Sequence, residues 1–159
     1  MIEDIEFGRE IALGVFIGAL FIILNATLGL VIGIPLLAFS SEGEKYIIQD
    51  GVAPVVEEIT FRAFLPFALA VVGVPFILNL IINIVSFLGF HYIVYGASFT
   101  AASSLFIGAG LFALVAFLAT YYQSDADEFQ VPLAAIIGHM MINTWLGIKA
   151  LGLVFVGGL

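Results

Sequence analysis

The chain has 159 residues, 63% of them hydrophobic, with a mean hydropathy of +1.24 and a formal net charge of −8. That length corresponds to one domain, so apolar a composition exceeds what a water-soluble globule needs, and the acidic balance speaks against nucleic acid and against anchoring to anionic lipid headgroups. Cysteine is absent, which excludes disulfides and thiol chemistry.

The first apolar run, Ile11 to Leu37, is long enough to cross a ~30 Å hydrocarbon core with tilt. It carries Gly14-x-x-x-Gly18 and Gly29-x-x-x-Gly33, spacings that let helices approach closely but that also occur as ordinary membrane-helix composition. Its flank holds Glu3, Asp4, Glu6 and Glu10, the wrong sign for a signal peptide, so the run reads as a retained helix. A polar loop follows from Ser40 to Asp50. The second helix is expected from Ala53 to Val72, broken by Gly73, and the third from Pro75 to about Tyr95, with proline tolerated in the first turn. After a Gly96-Ala-Ser98 turn, the fourth helix runs from about Ala101 to Tyr122. An acidic loop, Ser124 to Gln130, leads into the fifth, from near Pro132 to about Phe155.

Continuous rather than alternating apolar runs exclude a transmembrane barrel. The expected fold is all-α, a polytopic membrane helix bundle of about five transmembrane helices. It forms a single membrane domain over 1–159, with an N-terminal helix within 1–40 and a core over 50–150, and is placed as a multi-pass integral membrane protein. Arg9 and Lys45 flank the first helix on opposite sides, so loop charge assigns no orientation. Lys149, late in the fifth helix, is placed to snorkel outward.

Five ionisable groups lie inside the apolar helices, where charge is expensive and therefore marks candidate sites. Glu58 and Arg62 are spaced i,i+4 with the acid N-terminal, the favourable orientation for a pair on one face. Glu57 is rotated by about 100°, which makes it the less compensated carboxylate and the candidate general base. A purely structural Glu–Arg knot accounts for the same residues equally well. On the third helix Asn79, Asn83, Phe87 and His91 recur at i+4, a polar stripe that should face the bundle interior, with the asparagines as interhelical hydrogen bonders. On the fifth helix His139 and Asn143 share a face, two directional donors suited to an oxyanion. Alternatively Glu57, His91 and His139 could ligate Zn²⁺ with an open position for water.

If the helices alternate in direction, Glu57 and His91 lie at matching depth. His139 enters from the opposite side, only about 10–11 Å up its helix, and is expected to fall several ångströms short of them.

In order along the chain, Glu57-Glu58-x-x-x-Arg62, Phe87-x-x-x-His91 and His139-x-x-x-Asn143 resemble the motifs of the CAAX-protease and bacteriocin-processing (CPBP, or ABI) family of intramembrane proteases. The resemblance covers about residues 50 to 150 and uses both histidines of the chain. It implies an α-helical membrane endopeptidase acting on a membrane-associated peptide, such as a CaaX-type protein or a leader peptide. By analogy Glu57 and His91 would activate water, His139 and Asn143 would hold the oxyanion, and Glu58 and Arg62 would support the site. The family has been described both as metal-dependent and as a glutamate protease, so the resemblance implies no certain cofactor. The chain departs from the pattern in having fewer helices than is common there and Ala63 where glycine often follows the arginine. Two other readings fit the same residues. One is a catalytically silent membrane scaffold or interaction protein, alone or in an oligomer or larger membrane complex. The other is a small proton or metal-ion transporter.

Overall fold

The computed structural model describes residues 2–32, 52–95, 103–121 and 131–150. The predicted polar loops, the predicted ends at Leu37 and Phe155, and Gly33 of the second glycine pair lie outside these residues, as does the Lys149 side chain.

All described elements are helical. Helix α1 is Ile2–Ile32. It starts a full two turns before the apolar run. The second predicted helix is a composite: α2, Ala53–Glu58, passes into a π-helical segment, Ile59–Phe64, and then into α3, Leu65–Val71. Helix α4 is Phe76–Tyr95, α5 is Ser103–Tyr121 and α6 is Leu133–Ala150.

The turn between α3 and α4 follows from one glycine. Gly73 has φ +79°, a left-handed conformation that glycine adopts without strain. Its N–H donates to Ala70 O at 2.9 Å and that of Val74 to Leu69 O at 2.9 Å. This paired closure caps the C-terminal carbonyls of α3 and reverses the chain into Pro75.

Contacts along the helices fix their directions. Arg62 meets Asn83 while Pro66 meets Asn79, so α4 runs antiparallel to α2–α3. Phe76 packs on Phe117 and Tyr121 while Phe87 packs on Phe112, so α5 runs antiparallel to α4. Helix α1 runs parallel to α6: Gly14 lies against Ala134 and Ile137, and Gly18 against Gly138 and Met141.

That last contact uses the first glycine pair of the sequence. A Cβ on Gly14 would stand 2.7 Å from both Ala134 O and Ile137 Cβ, and one on Gly18 would stand 2.8 Å from Met141 Cβ. Gly138 on α6 answers from the other side, its Cβ position 3.1 Å from Ile17 Cγ2. Small residues on both helices therefore bring the backbones together.

The interior is built around Ile17, Phe21, Phe61, Phe87, Leu88, Phe112 and several alanines of α5 and α6. Edge-to-face rings, Phe21 on Phe112 and Phe61 on Phe87, each with centroids 5.5 Å apart, tie α1 to α5 and the π segment to α4. Polar groups also lie inside: Asn25, Glu57, Glu58, Arg62, Asn79, Asn83 and His139 are all buried. Conversely, Phe16, Ile23, Phe64, Ile77, Ile81, Val85 and Ile93 point outward. Two stretches, Phe7–Thr27 and Phe76–Ile93, are long and apolar enough to cross a membrane.

Replacing Gly14 by alanine should separate α1 from α6 and lower stability by about 1–3 kcal/mol, the usual cost of overpacking. The matched change Gly89→Ala, whose Cβ would meet nothing within 4 Å, should be neutral or stabilising by up to ~1 kcal/mol because alanine favours helix. Denaturation of the two variants side by side in one detergent decides this; equal midpoints would show that the α1–α6 approach does not depend on glycine.

Candidate functional site

The π-helical segment sets up the site. Within it the hydrogen bonds span five residues, as Leu65 N–H donates to Thr60 O. Single wide turns of this kind are frequent at functional sites. The wide turn follows Glu57 and Glu58 and contains Arg62, and all three side chains are buried.

Arg62 Nε lies 3.3 Å from Glu58 Oε2, with both side chains at 0% exposure. The guanidinium is also placed over the Phe87 ring, 4.4 Å from its centroid, a cation–π contact away from water. Its Nη1 donates to Asn83 Oδ1 at 3.0 Å, and Asn83 Nδ2 donates to Phe61 O. Asn79 Nδ2 donates to Pro66 O at 2.9 Å. The polar stripe of α4 thus serves the site helix, as helix-bridging asparagines do.

The histidines come from two other helices. His139 Nδ1 is 2.8 Å from Glu58 Oε1. His91 Nδ1 is 3.0 Å from the carbonyl of Phe87 on its own helix. Both Nε2 atoms face the same carboxylate oxygen: Glu57 Oε2 is 3.5 Å from His91 Nε2 and 4.0 Å from His139 Nε2. Phe87 and Phe112 wall the cluster, with ring centroids 4.2 Å from His91 and 5.0 Å from His139, respectively. Asn143 lies one turn past His139 on α6, partly buried.

These partners assign the tautomers. A carbonyl only accepts, so His91 Nδ1 carries hydrogen. Glu58 is held ionised by Arg62 and likewise accepts, so His139 Nδ1 carries hydrogen. In the neutral rings, both Nε2 lone pairs then point towards Glu57, where a proton or cation is needed to reconcile them. Fully ionised, the two carboxylates and one guanidinium would together carry one negative charge in a low-dielectric interior.

The expected shortfall in the depth of His139 is corrected. It reaches both glutamates, at 2.8 Å from Glu58 and 4.0 Å from Glu57, because the first turn of α6 lies level with Gly14, well inside the length of α1. The sequence estimate took every helix to start at a membrane face. Among the described residues no group of three His, Cys, Asp or Glu side chains is arranged to hold a metal ion. Sequence reasoning missed the π segment and the aromatic wall at Phe112. Pro66, a proline inside an apolar helix, was the available signal for the first. Nothing in spacing pointed to the second.

Compared with family models, curated proteins and solved structures, the chain matches none of them.

Removing one partner of a buried ion pair costs about 3–5 kcal/mol. Glu58→Gln should therefore destabilise the protein by that order, since it strands Arg62 and releases His139. Glu57→Gln, which breaks no close hydrogen bond, should cost much less. Thermal unfolding of both variants measures the difference, and equal losses would contradict the division of roles between the adjacent acids.

Proposed function

We propose that the chain is an intramembrane endopeptidase of the CAAX-protease and bacteriocin-processing type, a multi-pass membrane protein that hydrolyses a peptide bond in a membrane-associated substrate. The observation that carries this reading is the convergence of two Nε2 atoms on Glu57 Oε2, at 3.5 and 4.0 Å, from three separate helices. The inverted surface supports the membrane setting. Apolar side chains such as Ile77, Ile81 and Val85 face out while Asn79 and Asn83 of the same helix face in.

In this reading Glu57, assisted by His91, takes a proton from water, and the hydroxide attacks the substrate carbonyl. The negative charge that develops on the carbonyl oxygen is held by His139 and Asn143. His139 Nδ1 is committed to Glu58, so Nε2 donates to an oxyanion only when the ring carries both protons. Glu58 stabilises that imidazolium, and Arg62 keeps Glu58 ionised and aimed. In this mechanism one proton is added to His139, which leaves Glu57 free as the base and the cluster neutral. Glu57 then returns its proton to the leaving amine, and the substrate divides into a carboxylic acid, which keeps water's second proton, and an amine.

Glu57, His91 and His139 are of the residue types that ligate Zn²⁺, although the three are not arranged as a metal site here. No step above depends on it, and activity before and after metal depletion separates the two chemistries. A second reading, a scaffold without turnover, draws on the way the same network ties α2, the π segment, α4 and α6 into one knot.

The test is cleavage of internally quenched, membrane-anchored peptides, a prenylated CaaX peptide among them, by the protein in proteoliposomes. Glu57→Gln should lower kcat by about 10²–10⁴-fold, the range for loss of a general base, with unfolding little changed. Full activity in that variant sinks the mechanism. If His91→Ala and His139→Ala alter assembly but no peptide is cut by the parent protein, the scaffold reading holds instead.

A further inference from the structure

Asn83 is fully buried and has two partners of opposite kind. Its Nδ2 donates to the carbonyl of Phe61, and its Oδ1 accepts from Arg62 Nη1 at 3.0 Å. A carbonyl only accepts and a guanidinium only donates, so the amide has one workable orientation. The Phe61 carbonyl is a special acceptor. In the five-residue register shown by Leu65 N–H on Thr60 O, the next donor would be the N–H of residue 66. That residue is proline, which has none. The wide turn therefore leaves a buried carbonyl without its main-chain donor, and the Asn83 amide supplies the missing hydrogen bond.

We propose that Asn83 is a positioning residue of the site: it replaces the donor that Pro66 removes, and with the other end of the same amide it sets Arg62 against Glu58. Through Glu58 it acts on His139, whose Nδ1 is 2.8 Å from Glu58 Oε1. His91 is not in this line of direct contacts: its Nδ1 is held by Phe87 O, and its Nε2 meets the cluster at Glu57. A one-turn slip of the carbonyl ladder at Phe61 would move Arg62 with it, since the two are consecutive. The role is distinct from packing, because the two halves of the amide do different work and can be removed separately.

The chain has only two histidines, so ¹⁵N-histidine NMR of the full-length protein in detergent reports both rings directly. The parent should show Nδ1-protonated rings at both positions. Asn83→Leu should change the His139 signals more than those of His91, because only His139 is bonded to Glu58. Aspartate at the same position keeps an oxygen for Arg62 but loses the donor for Phe61. Asn83→Asp should therefore lower the melting temperature by about 2–8 °C, the range for one unsatisfied buried acceptor in a chain this size. Pro66→Ala restores a backbone N–H, and in that background the loss from Asn83→Asp should fall by at least half. The His139 change in Asn83→Leu should persist there, because alanine at 66 offers nothing to Arg62.

The kinetic consequence alone rests on the endopeptidase reading: kcat should drop about 10–100-fold in Asn83→Leu, as for a misplaced catalytic group, at unchanged KM. Spectra and melting need no turnover. His139 signals unmoved by Asn83→Leu overturn the proposal even if peptides are cleaved. An Asn83→Asp loss of equal size with and without Pro66 overturns it as well, and this pair of variants decides the matter if Asn83→Leu does not fold. Moved His139 signals with no cleavage by the parent protein uphold the positioning role and count against the protease.

Discussion

A guanidinium with 2% exposure is the most demanding group in this molecule. Taken from water alone, Arg62 would cost several kcal/mol even after relaxation. The structure offsets that cost from three directions: the Glu58 carboxylate along the same helix, the Asn83 amide from α4 and the face of the Phe87 ring. Each needs Arg62 at one place. Once Glu58 is committed to Arg62 by one oxygen, its other oxygen is left to orient His139. The arginine thus reaches His139 only at second hand, yet it decides which of the two adjacent carboxylates is held by a cation.

The rest of the fold supplies the elements that this cluster requires at the right depth. Helix α1 contributes none of the clustered side chains, but it holds α6 through backbone contact at Gly14, Gly18 and Gly138. Helix α6 in turn delivers His139. Such a contact is close, because the glycines let Ile137 and Met141 of α6 and Ile17 of α1 pack directly on the opposite backbone. The stagger of α6 matters as well. A helix starting level with the far end of α3 would leave His139 short of the glutamates.

Much of the cluster was legible in the sequence. The i,i+4 spacing of Glu58 and Arg62 gave their pairing, since helix geometry leaves little choice at that separation. The same spacing in α4 aligned Asn79, Asn83, Phe87 and His91 on one face. What could not be read was relative depth. Spacing along a helix is fixed by its rise, but nothing local encodes where a helix starts within a bundle, and His139 was misplaced on that account. The π segment escaped for a different reason. Its cause is split between Pro66, which withholds a donor, and Asn83, distant in sequence, which supplies one. Only a tertiary partner makes the wide turn affordable.

The tautomers carry the argument furthest from sequence to chemistry. Two histidines whose Nδ1 atoms are both committed present two equivalent lone pairs to one carboxylate oxygen. A purely structural knot would be better served by the opposite arrangement, with each Nε2 donating to Glu57 and no proton left to place. Of the two carboxylates, Glu58 is engaged by Arg62 and His139, while Glu57 faces the two Nε2 atoms at 3.5 and 4.0 Å. In the proposed mechanism that difference leaves Glu57, the acid at which three helices meet, as the group that activates water.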